Sequence, residues 1–442
     1  MADHAKSSNP AVQRQLDRLT MLSPGRDVLG LDRIARLLDR LGNPQHDLPP
    51  VFHVAGTNGK GSTCAFLRAA LEASGRRVHV YTSPHLVRFN ERIRVADRLI
   101  EDAFLAQLLE EVLSIADDIN PSFFEATTAA AFLAFARTPA DACVIEVGLG
   151  GRLDATNVIE HPVITGVAQL GLDHQAFLGN EIVDIAGEKA GIAKAGVPLV
   201  TLHYPAPIAA RVGSVANQAG ARWLPKAGSW DAAVYRDHLH YRDLDGRIEL
   251  PMPRMAGLHQ ATNAALAVAM LRHQRTLAIS ETAIRAAMRW AEWPARLQAL
   301  HAGPLVDRFP AGSELWIDGG HNPSAARAIS DFFRGHIAAA RPFHIILGML
   351  ANKDAAGFLK SFVGRTTIVH AVPVPGHDHY APAELAAIAR ACGMSASAAD
   401  DPLAALDEIA RHADRAQPPV VLIAGSLYLA GEALAANGTP PE

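Results

Sequence analysis

Three cysteines are all that this chain of 442 residues contains. Cys64, Cys143 and Cys392 are widely spaced, which excludes a disulfide framework and a zinc pattern and leaves them as small buried hydrophobes. Long apolar runs are missing too. No stretch of 18 apolar residues occurs, and the polar start "MADHAKSSNPAVQRQ" lacks a signal-peptide core, so a cytoplasmic protein is expected. Basic charge is not in excess: 41 Lys and Arg stand against 45 Asp and Glu, for a net charge of −4. That excludes broad nucleic-acid or anionic-membrane binding, though not a local basic pocket. Lysine itself is scarce, 7 against 34 Arg, which makes Lys60 and Lys189 conspicuous. What is present is 49% hydrophobic, ample for cores, and the length implies two domains.

The pattern of elements is α/β. The first ~20 residues read as tail, then helix. "VFHVA" (51–55) is a β-branched strand ending in glycine, "STCAFLRAALEASG" (62–75) has helical spacing with Gly75 as its stop, and "RVHVYTSP" (77–84) is a second strand. This βαβ unit is a natural carrier of a phosphate loop. "ACVIEVG" (142–148) and "PVITGVAQL" (162–170) read as buried strands and "TTAAAFLAFA" (127–136) as a helix, which implies a mostly parallel sheet covered on both faces. Residues 200–255 change character. "YRDHLHYRDLDGRIELPMP" alternates, with Asp245-Gly246 as a hairpin signal, and reads as a small antiparallel patch. After the helix "HQATNAALAVAMLRH" (259–273) a second α/β series begins, with a strand then a loop over 313–323 and strands at 343–350, 366–374 and 419–429. We expect an N-terminal nucleotide-binding domain over 1–295 and a Rossmann-like α/β domain over 296–442.

The stretch "HVAGTNGKGST" (53–63) departs from the standard phosphate loop, G-x-x-x-x-G-K-[ST]. The first glycine would fall at Val54, and Gly61 delays the hydroxyl to Ser62. A glycine turn with an incidental lysine is the alternative. With a strand before and a helix after, the N–H groups of residues 57–62 are expected to face an anion at a helix N-terminus. Lys60 would add charge for the phosphates, and Ser62 or Thr63 a hydroxyl near Mg²⁺. "YTSPHLVRFNERIRV" (81–95) starts at the same sheet edge. There Ser83 could ligate a metal, and Arg88 and Arg92 could meet substrate anions or simply be solvated. Glu146 lies inside an apolar strand, where a carboxylate needs a partner, and Mg²⁺ is the natural one. His174 is either a second-metal ligand or a satisfied polar residue. Asp318 and His321 in "DGGHNP", Ser426 in "AGSLYL" and Arg296 in "WPARLQAL" are the chemistry-bearing residues of the second half. An arginine at the boundary can reach phosphates across a cleft.

The ordered set "HVAGTNGKGST", "YTSPHLVRFNER", "FFEATTAAAF", "EVGLGGRLDATN", "LGLDHQAFLGN", "EKAGI", "DGGHNP", "LGMLANKD" and "GSLYL" resembles the folylpolyglutamate synthase/dihydrofolate synthase family of the Mur ligase superfamily. The likeness runs from about residue 50 to 430. "HVAGTNGKGST" matches the shorter loop of those ligases, G-x-x-G-K-G-[ST]. The resemblance implies an ATP-dependent ligase that adds L-glutamate to dihydropteroate and to tetrahydrofolate through an acyl phosphate. It further implies that Gly56, Thr57, Asn58, Gly59, Lys60, Gly61 and Ser62 bind ATP, with Asn263, Arg296 and Asp318. Ser83 and Glu146 would hold one Mg²⁺, and His174 and a carbamylated Lys189 a second. Ser122, Phe123, Phe124, Glu125, Leu153, Asp154 and Ala155 would flank the pterin, and His321 and Ser426 the glutamate. Lys60, Lys189, Asp318 and His321 would carry the catalysis, and the second domain would close over ATP.

Three departures stand out. The aspartate of "RDVLGLDR" (26–33), a substrate-binding segment in bacterial bifunctional members, is displaced. Gly320 stands where alanine is common, and "LANKD" has Asn352 where the family has aspartate. A monomer acting on small molecules is expected. The alternatives are a monofunctional folylpolyglutamate synthase, a Mur ligase acting on a UDP-sugar, and a P-loop regulator that performs no ligation. The second would carry a UDP-binding N-terminal domain, where this chain has only ~50 residues before the loop. The third has no need of the Glu146, His174 and Lys189 set.

Overall fold

A computed structural model describes residues 5–22, 29–338, 341–364 and 367–441. Arg26, Asp27 and Val28 of the displaced 26–33 segment therefore lie outside the described residues. The chain divides into two compact units, Met1–Arg254 with Gln260–Glu292, and Met255–His259 with Trp293–Glu442.

The first unit holds eight strands in one sheet: β1 (Val51–Ala55), β2 (Val78–Tyr81), β3 (Ile93–Val95), β4 (Arg98–Leu99), β5 (Ala142–Glu146), β6 (Ile164–Val167), β7 (Pro198–Thr201) and β8 (Arg222–Pro225). Their order is β4-β3-β2-β5-β1-β6-β7-β8. β3 and β4 run antiparallel at one edge, and the other neighbouring pairs are parallel. Every residue of β1 and β5 is buried, as continuous apolar runs in a doubly covered sheet require. The N-terminal segment is more ordered than a tail. Asn9 caps a helix over Pro10–Leu22 by accepting the N–H groups of Ala11 and Val12, and Pro10 opens it. Val12, Leu16 and Leu19 bury their side chains in a core with helix Asp102–Ser114, at about 2 kcal/mol each.

Between 200 and 255 the antiparallel expectation holds for only part of the range. β9 (Trp230–Tyr235), β10 (His238–Asp243) and β11 (Gly246–Pro251) form a three-stranded antiparallel sheet. Residues 206–225 instead continue the parallel series through helix Ala206–Gln218 and β8. The small sheet is tied down by Asp243, whose buried carboxylate takes Arg272 Nε at 2.6 Å and Nη2 at 2.7 Å from helix Leu258–His273.

The second unit has β12 (Gln298–Leu300), β13 (Glu314–Ile317), β14 (Phe343–Leu347), β15 (Thr367–Ala371), β16 (Ser395–Ala398) and β17 (Val420–Ala424), ordered β12-β13-β17-β14-β15-β16. Only β12 pairs antiparallel. The last strand is shorter than the apolar run 419–429 suggested. It ends at Ala424, and helix Leu427–Ala436 begins after Ser426 caps it.

Candidate active site

Register builds the site in the first unit. β1 lies between β5 and β6, and Val54 is paired with Glu146. The chain therefore leaves β1 at Gly56 with the Glu146 backbone alongside. Glu146 is only 4% exposed. The loops after β1, β2, β5 and β6 leave the same edge of the parallel strands, where ligands bind in such sheets.

Helix Lys60–Ala73 opens with Gly59 as its N-cap at φ +83°. A side chain there would be strained by the backbone and would also lie 2.3 Å from Asn263 Oδ1. Asn263 thus sits directly against the loop, buried, with its Nδ2 donating to Gln260 Oε1 at 3.1 Å. The loop divides into two halves. The N–H groups of Thr57 and Asn58 donate to the Gln169 carbonyl at 2.8 and 3.1 Å, and the Thr57 hydroxyl donates to Gly171 O and accepts from Gly171 N. These two residues are latched to the segment that follows β6, so their N–H groups are taken up by Gln169, contrary to the expectation for 57–62. The N–H groups of Lys60, Gly61 and Ser62 lie in the first helical turn, where a helix offers no internal acceptor.

Two lysines meet at one backbone oxygen. Lys60 Nζ donates to Gly56 O at 3.1 Å and lies 3.9 Å from Glu146 Oε1. Lys189, from helix Ile182–Ala190, donates to the same Gly56 O at 3.0 Å. Burial and the neighbouring Lys60 charge push the Lys189 amine down to about 7. Gly151 permits this approach: a Cβ there would lie 2.7 Å from Glu188 O and 2.8 Å from Lys189 O. The backbone of the "LGGRLDATN" loop thus rests on the helix that carries Lys189.

That loop is organised by Asp154. Its Oδ2 accepts Leu149 N–H at 2.8 Å, and its Oδ1 accepts Thr156 N–H at 3.0 Å and the Thr156 hydroxyl at 2.5 Å. Asp154 and Ala155 are buried and Leu153 is half-buried. Ser122 and Glu125 form a capping box at the start of helix Phe123–Arg137, and Glu125 also takes Arg33 Nε at 2.9 Å. Phe124 stacks on Tyr81, and Phe123 meets Phe89 edge-on. Arg92 is buried against Phe89 and Phe123 and donates to His85 Nδ1 at 2.9 Å, so it is not a solvated loop cation.

For a divalent cation the donors are oxygens. Ser83 N–H points at Glu146 Oε2 at 3.4 Å, which brings the serine beside that buried carboxylate. A single carboxylate and a hydroxyl next to a phosphate loop fit Mg²⁺, which takes oxygen ligands and shares them with substrate phosphates. Among the described residues no group of three His, Cys, Asp or Glu is arranged to hold a metal. His174 stands at the N-cap position of the short helix Gln175–Leu178, at φ +52°, and is half-buried.

In the second unit Asp318 occupies the end of β13. Its Oδ2 accepts Leu297 N–H at 2.8 Å and its Oδ1 accepts Gly320 N–H at 2.6 Å. Asp318 thereby fixes the segment around Arg296, whose Nη1 donates to Ala295 O. His321 Nδ1 donates to Gly319 O at 3.1 Å, and Gly425 N–H donates to Gly320 O, so the loops after β13 and β17 adjoin. Ser426 is buried, and its Oγ accepts Tyr428 N–H.

A family model described as the dihydrofolate synthetase C-terminal domain matches residues 309–436. A dihydrofolate synthase/folylpolyglutamate synthase from Bacillus subtilis is 33% identical over 420 residues, covering 90% of this chain and 93% of that protein. The chain belongs to the dihydrofolate synthase/folylpolyglutamate synthase family. Among solved structures of such enzymes, Escherichia coli FolC in complex with DHPP and ADP is 30% identical with a TM-score of 0.86, covering 97% of each chain. The Yersinia pestis bifunctional folylpolyglutamate synthase/dihydrofolate synthase complexed with AMPPNP and Mn ion is 31% identical with a TM-score of 0.85, covering 97% of this chain and 99% of that one. Two features of this site escaped the sequence reading. The Gln169–Gly171 latch uses backbone atoms and leaves no side-chain signal. The bond between His53 and Thr156 was marked only by a histidine within an apolar strand.

Proposed function

We propose that this chain is an ATP-dependent ligase that joins L-glutamate to dihydropteroate and to tetrahydrofolate. The observation that carries the reading is the convergence of Lys60 and Lys189 on Gly56 O at a helix N-terminus, with Glu146 3.9 Å from Lys60. The half-buried Lys60 charge at a helix N-terminus, with the buried Lys189 on the same carbonyl, favours an anion there, and a polyphosphate supplies it. In the reaction an oxygen of the acid's carboxylate attacks the γ-phosphorus of ATP, giving an acyl phosphate and ADP. The glutamate nitrogen then attacks the acyl carbon, the C–O bond to phosphate breaks, and the amine loses a proton. Both steps require positioning of reactants and compensation of phosphate charge. Lys60 and the N–H groups of Gly59 to Ser62 would provide that compensation.

Ser83 and Glu146 would hold one Mg²⁺, and His174 and a carbamylated Lys189 a second; the bound ions would offset phosphate charge. Carbamylation requires a neutral amine, and a Lys189 pushed down to about 7 supplies it near neutral pH. CO₂ adds to the nitrogen, a proton leaves, and a cation becomes an anionic oxygen ligand. Asn263, Arg296 and Asp318 would serve the nucleotide, His321 and Ser426 the glutamate, and Ser122 to Glu125 with Leu153 to Ala155 the pterin. We assign residues 1–295 as the nucleotide domain and 296–442 as the glutamate domain of a monomeric cytoplasmic enzyme. Among the described residues no helix is long and apolar enough to cross a membrane.

The test is ATP- and Mg²⁺-dependent coupling of labelled glutamate to dihydropteroate and, separately, to tetrahydrofolate. Coupling to both is expected. Coupling to tetrahydrofolate alone would make the enzyme monofunctional, and ADP release indifferent to both substrates would overturn the ligase reading.

A further inference from the structure

His53 lies on β1, three residues before Gly56, and its ring is fully buried. Its Nε2 is 2.8 Å from Thr156 Oγ1, which is itself 2.5 Å from Asp154 Oδ1. A hydroxyl has one proton to give. Asp154 already accepts two backbone N–H groups, so the third bond it takes is from the Thr156 proton. The Thr156 oxygen must then accept, and His53 must donate through Nε2–H. Its Nδ1 carries the lone pair and meets no hydrogen-bond partner among the described residues. Burial, with Lys194 nearby, holds the ring neutral by pushing it down to about 3. The chain of bonds therefore has one direction, from the phosphate-loop strand to the loop that carries Leu153 to Ala155.

Its far end is felt at the site. Asp154 is among the charges acting on Lys189, and Lys60 is among those acting on Asp154. We infer that His53 is a positioning residue: as a neutral Nε2–H donor to Thr156 it holds the Asp154 loop in register with the phosphate loop. The inference rests on the ligase reading, because that reading puts the folate acid against this loop.

The experiment pairs kinetics with nitrogen-15 NMR of the histidine rings, His53 being assigned by its absence in His53→Gln. The wild-type signal is expected from the Nε2–H tautomer; an Nδ1–H tautomer or a charged ring overturns the inference. Thr156→Val and His53→Leu remove the bond, and Thr156→Ser and His53→Gln keep an oxygen or an N–H at the same place. The first pair should raise KM for the folate acid by about 10- to 100-fold, the range for a buried polar group left unpaired. KM for ATP should stay within about twofold, as expected when one substrate's contacts are lost. The second pair should recover most of the loss. Equal rises in both KM values, or no recovery in folded Thr156→Ser, would mean that the bond is only scaffold. Should the first pair fail to fold, the tautomer and the Thr156→Ser kinetics decide. Wild-type enzyme that forms no glutamate-dependent ADP would sink the ligase reading itself and leaves the tautomer result standing on its own.

Discussion

Gly56 O accepts from two lysine side chains, Lys60 at 3.1 Å and Lys189 at 3.0 Å. The scarcity of lysine in the chain already singled these two out, and their roles separate by position. Lys60 is the first residue of the helix and stands beside Glu146. We expect Lys60→Ala to lower kcat by on the order of 100- to 1000-fold, as for removal of one preorganised donor to developing charge. Near-normal kcat would show that the loop is only structural. Lys189 is deeper, and its amine titrates near neutrality. The fold disfavours its charged form, so below about pH 7 that form destabilises the protein, and the penalty fades as pH rises toward the ordinary lysine value. Lys189→Ala should lose about 100-fold in activity, and short carboxylic acids should restore part of it by replacing the carbamate. Absence of any rescue across acids of different size would argue that Lys189 acts as an amine and not as a carboxylate.

Elements were legible in the sequence where local pattern and tertiary need agreed. Strand "VFHVA", the glycine loop and the following helix were read from spacing alone, because β1 is buried on both faces and the helix is apolar over most of its length. "SLYL" was read as strand because a short apolar run cannot declare its period, while the structure caps a helix with Ser426. The latch of Thr57 and Asn58 to Gln169 was not legible, since it joins backbone groups more than 100 residues apart in sequence. Among the site residues, Lys60, Glu146, Lys189 and Asn263 do come together around Gly56–Gly59, whereas Ser122 and Glu125 engage mainly each other and Arg33. One element contact is open to direct test. Gly151 lies so close to the backbone of Glu188 and Lys189 that any Cβ must displace main chain. Gly151→Ala should therefore destabilise the first unit by about 1–3 kcal/mol, as overpacking does, and should weaken activity by shifting Lys189. An unchanged urea midpoint with unchanged kcat would show that the loop and helix can separate without cost.

Across the whole molecule, buried histidines set the acid limit. Burial pushes His53 down to about 3 and His85 to about 4 in the first unit. In the second unit burial and the adjacent His370 push His344 down to about 4. In the unfolded chain each takes a proton near pH 6.5. Between about pH 6.5 and 4 the unfolded state thus binds protons that the folded state refuses, and stability must fall as pH falls. Above pH 6.5 both states leave these rings neutral and the contribution is flat. The window differs from that of ordinary carboxylates, which act below about pH 4.5. Both units carry at least one such histidine, so neither is expected to persist alone at mild acidity. Urea unfolding should show midpoints that stay nearly level above about pH 6.5 and fall steadily from there to pH 5, with Trp223 and Trp230 reporting mainly the first unit and Trp316 the second. His53→Gln should flatten the slope by up to ~1.4 kcal/mol per pH unit, the effect of one proton. Midpoints that are level across that range would mean that these rings accept protons in the folded state and that their burial is not what the fold enforces.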